Sequence, residues 1–97
     1  MQPPKLKDYP KHLKLGDTIY TIRFVRKFDD DPRQVGECCP SECEIKIKLG
    51  LGREETFKTL IHEIAHGLFE FEHDLKVKHR LIYGMEQALY QFLIDNF

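Results

Sequence analysis

Residues 53–71 read REETFKTLIHEIAHGLFEF, and this stretch decides the fold. Glu54 and Glu55 stand at its start, where carboxylates complement the positive end of a helix dipole. The stretch therefore predicts a helix from about residue 53 to 71. The apolar residues that recur at the 3.6-residue spacing of an amphipathic helix are Phe57, Leu60, Ile61, Ile64, Ala65 and Leu68.

The chain before this helix shows the two-residue alternation of β-strands. Strands are predicted within residues 18–28 and 43–49, and a shorter one within 35–39. Each of the longer two has one apolar face and one polar face, which is typical of a half-buried strand. The residues expected to face the core are Tyr20, Ile22, Phe24, Ile45, Ile47 and Leu49.

A second helix is predicted over residues 76–95, after a loop near His73. The order of strands and then helices predicts an α+β domain. It would consist of a small antiparallel sheet of about three strands and two helices packed on it. Residues 17–97 would form this single domain, after an irregular lead-in over 1–16. The core stripe of the second helix is expected to contain Ile82, Met85, Leu89, Phe92 and Leu93.

The composition argues against two classes of partner, nucleic acids and membranes. The 97 residues include 15 Lys and Arg against 16 Asp and Glu, so there is no basic excess for nucleic acid. No apolar run approaches the ~18 residues that span a bilayer, and no signal-peptide pattern opens the chain. A soluble cytoplasmic protein without membrane contact is expected. Cys38, Cys39 and Cys43 are an odd number and are expected to be reduced, the alternative being a bridge from Cys43 to Cys38 or Cys39.

Residues 62–66 read HEIAH, the H-E-x-x-H pattern. On a helix, His62 and His66 differ by about 40° around the axis, so both imidazoles can reach one metal ion. Glu63 points about 100° away and is left to act on a water molecule as a general base. The pattern predicts a Zn²⁺ site with His62 and His66 as ligands.

A catalytic zinc ion needs a third protein ligand, and Glu86 on the second helix is the first candidate. It shares a polar stripe with His79, Tyr83 and Tyr90, at spacings of four, three and four residues, which is hard to explain unless the stripe faces a site. The alternatives that stay open are Glu70, Glu72, His73 and His79.

The segment from His62 to Leu68 resembles the active-site helix of the zincin metallopeptidases. A carboxylate ligand on a later helix is the gluzincin pattern. Size and element order are similar to small gluzincin-like domains of phage and prophage proteins, and to the metallopeptidase part of the ImmA/IrrE family. The metzincin pattern fails, because Phe69 and Glu72 stand where it requires Gly and His.

This resemblance implies a zinc metallopeptidase with Glu63 as general base and His62, His66 and Glu86 as zinc ligands. Tyr83 or His79 is expected to donate a hydrogen bond to the developing oxyanion. A strand edge within residues 43–49 is expected to hold an extended peptide or protein substrate. The alternative is a non-enzymatic module that needs zinc to fold and binds a protein. Association with DNA is a third hypothesis, which the charge balance disfavours.

Overall fold

The structure is a computed structural model that describes residues 2–69 and 79–96, with the side chains of all of these except residues 69 and 79–82. Short 3-10 turns at Leu6–Asp8 and Pro40–Glu42 accompany the main elements. In chain order, those elements are strands β1 (His12–Leu15), β2 (Thr18–Val25), β3 (Gly36–Cys39) and β4 (Glu44–Lys48), then helices α1 (Arg53–Phe69) and α2 (His79–Asn96). The α+β class is confirmed.

The four strands form one mixed sheet in the order β1-β2-β4-β3. The β1–β2 and β3–β4 pairs are antiparallel, whereas β2 and β4 are parallel, with Ile22 opposite Ile45. The prediction of about three strands roughly fits the four observed, whereas the prediction of an all-antiparallel sheet was wrong for the β2–β4 pair. The extra strand, β1, comes from the stretch that was expected to be irregular. A two-residue turn, Gly16 and Asp17, joins it to β2, with which it pairs. Gly16 has a φ of 61° in this turn.

The core lies between the sheet and α1. Alternation along β2 and β4 turns Tyr20, Ile22, Ile45 and Ile47 toward Leu60 of α1, and all five are buried. Phe24 packs against this cluster, as predicted.

Two apolar residues that were expected to be buried are exposed. Leu49 follows the end of β4, and Leu68 lies near the end of α1. Neither is therefore held at the centre of the interface between helix and sheet.

Helix α2 packs against α1 rather than lying beside it on the sheet. The expected core stripe of α2 was wrong in part, because Leu89 and Phe92 are exposed while Met85 and Leu93 are half-buried. The side chain of Ile82 lies outside the described residues. The three members of the polar stripe whose side chains are described contact α1: Tyr83 and Glu86 lie against His62, and the ring of Tyr90 lies 5.8 Å from that of Phe57.

All three cysteines belong to the described part of the chain, and no disulfide bond joins them there. Across the same part of the chain, neither helix has the length and apolarity that a membrane span requires.

Candidate metal centre

The H-E-x-x-H segment lies in the second half of α1, as predicted. His62 and His66 project from one face, with their ring centroids 4.6 Å apart and their Nε2 atoms 3.0 Å apart. Two ligands on a tetrahedral zinc ion, each at ~2.0–2.1 Å, are separated by roughly 3.3 Å. The two Nε2 atoms are therefore spaced as ligands of one ion need to be.

Helix α2 brings Glu86 to this pair. Its side chain is only 7% exposed, and its Oε2 atom contacts Nδ1 of His62. The predicted proximity of Glu86 to the two histidines is thus present, although 20 residues separate it from His66 in the chain. A carboxylate that receives a hydrogen bond from Nδ1 fixes the imidazole tautomer whose Nε2 carries an electron pair, which is the form that binds metal.

The ring orientation of His62 determines what Glu86 does. Within the described residues, no three side chains of His, Cys, Asp or Glu form a complete metal-binding group. As the ring stands, Glu86 lies at its Nδ1 edge and His66 at its Nε2 edge. The groups that would hold a metal ion here are the imidazoles of His62 and His66 and the carboxylate of Glu86. The donor set, two imidazoles and one carboxylate, fits zinc.

Glu63 is buried at 7% exposure, and its carboxylate lies close to β3. A Cβ atom added to Gly36 of that strand would lie 2.8 Å from its Oε2 atom. The carboxylate therefore rests against the backbone of a strand. The roles of Glu63 as general base and of His62 and His66 as metal ligands stay predictions.

The predicted oxyanion donors have different outcomes. Tyr83 is 58% exposed, and its ring lies edge-on to His62 at a centroid distance of 5.9 Å. Tyr83 thus lies beside His62 and is open to solvent. His79 is the first residue of α2, but its side chain lies outside the described residues. The alternative ligands Glu70, Glu72 and His73 also lie outside them.

A cavity of about 520 Å³ opens over this site. Its walls come from the chain leading into β3, from the solvent-facing side of α1 and from α2. The charged groups at its rim include Arg33, Glu55 and Lys58. The residues that line it are Arg33, Gln34, Val35, Gly36, Glu55, Lys58, Thr59, His62, Glu63, Tyr83, Glu86 and Gln87.

Residues 33–36 were not predicted to belong to the site. Val35 and Gly36 were expected only as part of a short strand, and no side chain there has an obvious chemical role. One signal was available, because an isolated glycine within a strand often marks a close approach of another group to the backbone.

Comparison of the chain with protein-family models, curated proteins and solved structures finds no match.

Proposed function

We propose that this protein is a zinc-dependent peptidase whose metal is held by His62, His66 and Glu86. The observation that carries the proposal is a pair of imidazoles on one helix face with their Nε2 atoms 3.0 Å apart, in a motif whose His62 and Glu63 line an open cavity together with Glu86. The resemblance of residues 62–68 to the zincin peptidases agrees with this reading.

Bound zinc would polarise the carbonyl of the scissile peptide and make water more acidic. Glu63 would accept the proton of the attacking water and deliver it to the leaving amine. Tyr83 would donate its phenolic hydrogen to the carbonyl oxygen as negative charge develops there, because its ring lies beside His62 and faces the cavity.

The substrate would be an extended peptide that lies along β3. Strand β4, where such an edge was expected, is paired on both sides and cannot accept a further strand. Strand β3 is the edge of the sheet next to α1, and Val35 and Gly36 line the cavity. A peptide added to this edge would pass Glu63 and the metal site.

Glu63→Gln tests the mechanism. The amide keeps the shape of the side chain but cannot accept a proton, so zinc content should be unchanged while peptide cleavage falls by at least ~100-fold. Zinc would be measured by elemental analysis, and cleavage by mass spectrometry of a peptide library. Glu55→Gln is the matched control, because Glu55 is on the same helix and lines the same cavity. Unchanged cleavage by Glu63→Gln would contradict the proposed role.

Removal of zinc separates the enzyme from a non-enzymatic zinc module. The apolar core between the sheet and α1 contains neither histidine. Removal of zinc by a chelator should therefore abolish cleavage and leave the far-UV circular dichroism spectrum in place. Stoichiometric zinc without cleavage of any library peptide, together with unfolding on chelation, would favour the binding module instead.

A further inference from the structure

Gly36 on β3 packs directly against α1 at the position of the proposed general base. A Cβ atom at this position would lie 2.6 Å from Cγ2 of Thr59, 2.8 Å from Oε2 of Glu63 and 3.2 Å from its Cγ. Ordinary van der Waals contacts of a Cβ atom are longer than 3.4 Å. The backbone conformation does not explain the glycine, because the positive-φ glycines are Gly16, Gly50 and Gly52.

We infer that Gly36 is a positioning residue, whose missing side chain leaves the space in which the Glu63 carboxylate is held for proton transfer. The inference rests on the proposed peptidase function and adds a residue that its sequence motif does not contain. Glu63 is confined by its own helix on one side and by the bare backbone of β3 on the other. A wall without a side chain keeps the carboxylate close to the strand along which the peptide would lie.

The neighbours of Gly36 differ in how far they can move. Thr59 is 8% exposed, and its β-branched side chain is stiff on a helix. Gly36 itself is fixed by the ladder to β4, where it stands opposite Ile47 and where Lys48 N–H donates to the Val35 carbonyl at 2.8 Å. The terminal torsion of Glu63 is the softest degree of freedom in the contact. A methyl group at position 36 would therefore displace the carboxylate.

Gly36→Ala is the first variant. A displacement of the base by ~1 Å should lower kcat by roughly 100-fold, with KM changed less than about twofold and zinc affinity unchanged. Gly84→Ala is the matched control, because a Cβ atom there meets nothing within 4 Å. An unchanged kcat in Gly36→Ala would overturn the inference.

A second variant separates positioning from a merely structural role. Gly36→Ala should lower the midpoint of thermal unfolding, because the new Cβ atom meets Cγ2 of Thr59. Thr59→Ser removes the Cγ2 atom, so the double variant relieves this closest contact and should recover the midpoint. It leaves the contact with Oε2, so kcat should stay low. Recovery of kcat together with the midpoint would show that Gly36 acts through packing alone.

The contact itself can be tested without any enzymatic activity. Gly36→Ala should lower the urea midpoint less in a Glu63→Ala background than in the natural one, because the displaced side chain is then absent. Equal losses in the two backgrounds would contradict the contact, whether or not the protein cleaves peptides. Coupled losses in a protein without peptidase activity would keep the contact and reject the proposed function.

Discussion

His62 and Glu86 form a hydrogen bond at a position where Glu86 is only 7% exposed to solvent. A buried carboxylate needs a hydrogen bond from a polar or charged group, and Nδ1 of His62 provides it. The same bond leaves the electron pair of this imidazole on Nε2, which faces Nε2 of His66 at 3.0 Å. Glu86 therefore holds His62 in the tautomer that a metal ligand requires, and it lies beside the site that we propose for zinc.

Glu86→Gln distinguishes the two roles of this carboxylate. Loss of a hydrogen-bond partner of a ligating histidine costs about 10–100-fold in metal affinity. Because we propose Glu86 as the third ligand, we expect a loss greater than about 100-fold, measured by competition with a zinc chelator of known affinity. His66→Ala sets the scale for the removal of a ligand, and Glu55→Gln provides the baseline. A loss within 10–100-fold would instead assign Glu86 to His62 alone.

The edge strand β3 offers its main chain to a peptide in an alternating pattern. The bond from Lys48 N–H to the Val35 carbonyl shows that Val35 is turned toward β4. In an antiparallel pair the next residue is turned the other way, so the N–H and carbonyl of Gly36 point to the open edge. The carbonyl already accepts a hydrogen bond from Nε2 of Gln34 at 3.0 Å. The Gln34 amide thus occupies the place where a substrate N–H would bind.

Gln34→Ala should make substrate binding easier. Removing the competing amide exposes the Gly36 carbonyl, and one such hydrogen bond is worth about 0.5–1.5 kcal/mol, or roughly 2- to 13-fold. We expect KM to fall by that factor while kcat stays within about twofold, measured in steady-state assays on one library peptide. Gln87→Ala is the control, because Gln87 lines the same cavity from α2. A higher KM in Gln34→Ala would mean that this side chain holds the substrate instead of competing with it.

Local patterns were sufficient to predict three of the strands and both helices, but not strand β1 or how the strands pair. Alternation placed Tyr20, Ile22, Ile45 and Ile47 in the core, and the 3.6-residue period placed α1. The parallel pairing of β2 with β4 depends on contacts between distant parts of the chain, which no short pattern encodes. For the same reason, the apolar residues of α2 did not indicate which face meets α1.

The candidate site, too, was predicted from the sequence only in part. His62, Glu63 and His66 lie within one turn of helix, so their spacing alone predicts their geometry. Glu86 was predicted from a polar stripe, because such a stripe needs a buried use, and the structure places it against His62. Gly36 and Gln34 were missed, since their contribution arises from the approach of β3 to α1 and not from their own chemistry.

At the scale of the whole molecule, two tyrosines and one cysteine with raised pKa values make the stability of the fold depend on alkaline pH. The hydroxyls of Tyr9 and Tyr20 are buried without a hydrogen-bond partner among the described residues. Burial raises the pKa of Tyr9 to about 12, although the nearby Arg53 opposes the shift, and it raises the pKa of Tyr20 as well. Burial and the hydrogen bond to Glu37 raise the pKa of Cys39 to about 11. In each case the folded protein retains a proton that the unfolded chain releases at lower pH.

Tyr9→Phe tests this account of alkaline stability. The wild-type free energy of unfolding should fall between about pH 9 and 12, because in this range the folded state binds more protons than the unfolded chain. Tyr9 contributes above pH 10, its ordinary pKa, up to the raised value of about 12. Phenylalanine keeps the ring contacts with Phe24 and Phe57 at 5.7 and 6.5 Å and has no proton to lose.

The variant should therefore be at least as stable as the wild type at pH 7, since a buried hydroxyl without a partner costs about 1–3 kcal/mol. Its stability should also fall less steeply above pH 10. Urea unfolding at pH 7, 9, 10.5 and 11.5 measures both effects, with Tyr83→Phe as the control because that ring is 58% exposed. Equal alkaline slopes for wild type and Tyr9→Phe would show that Tyr9 ionises in the folded protein as it does in the unfolded chain.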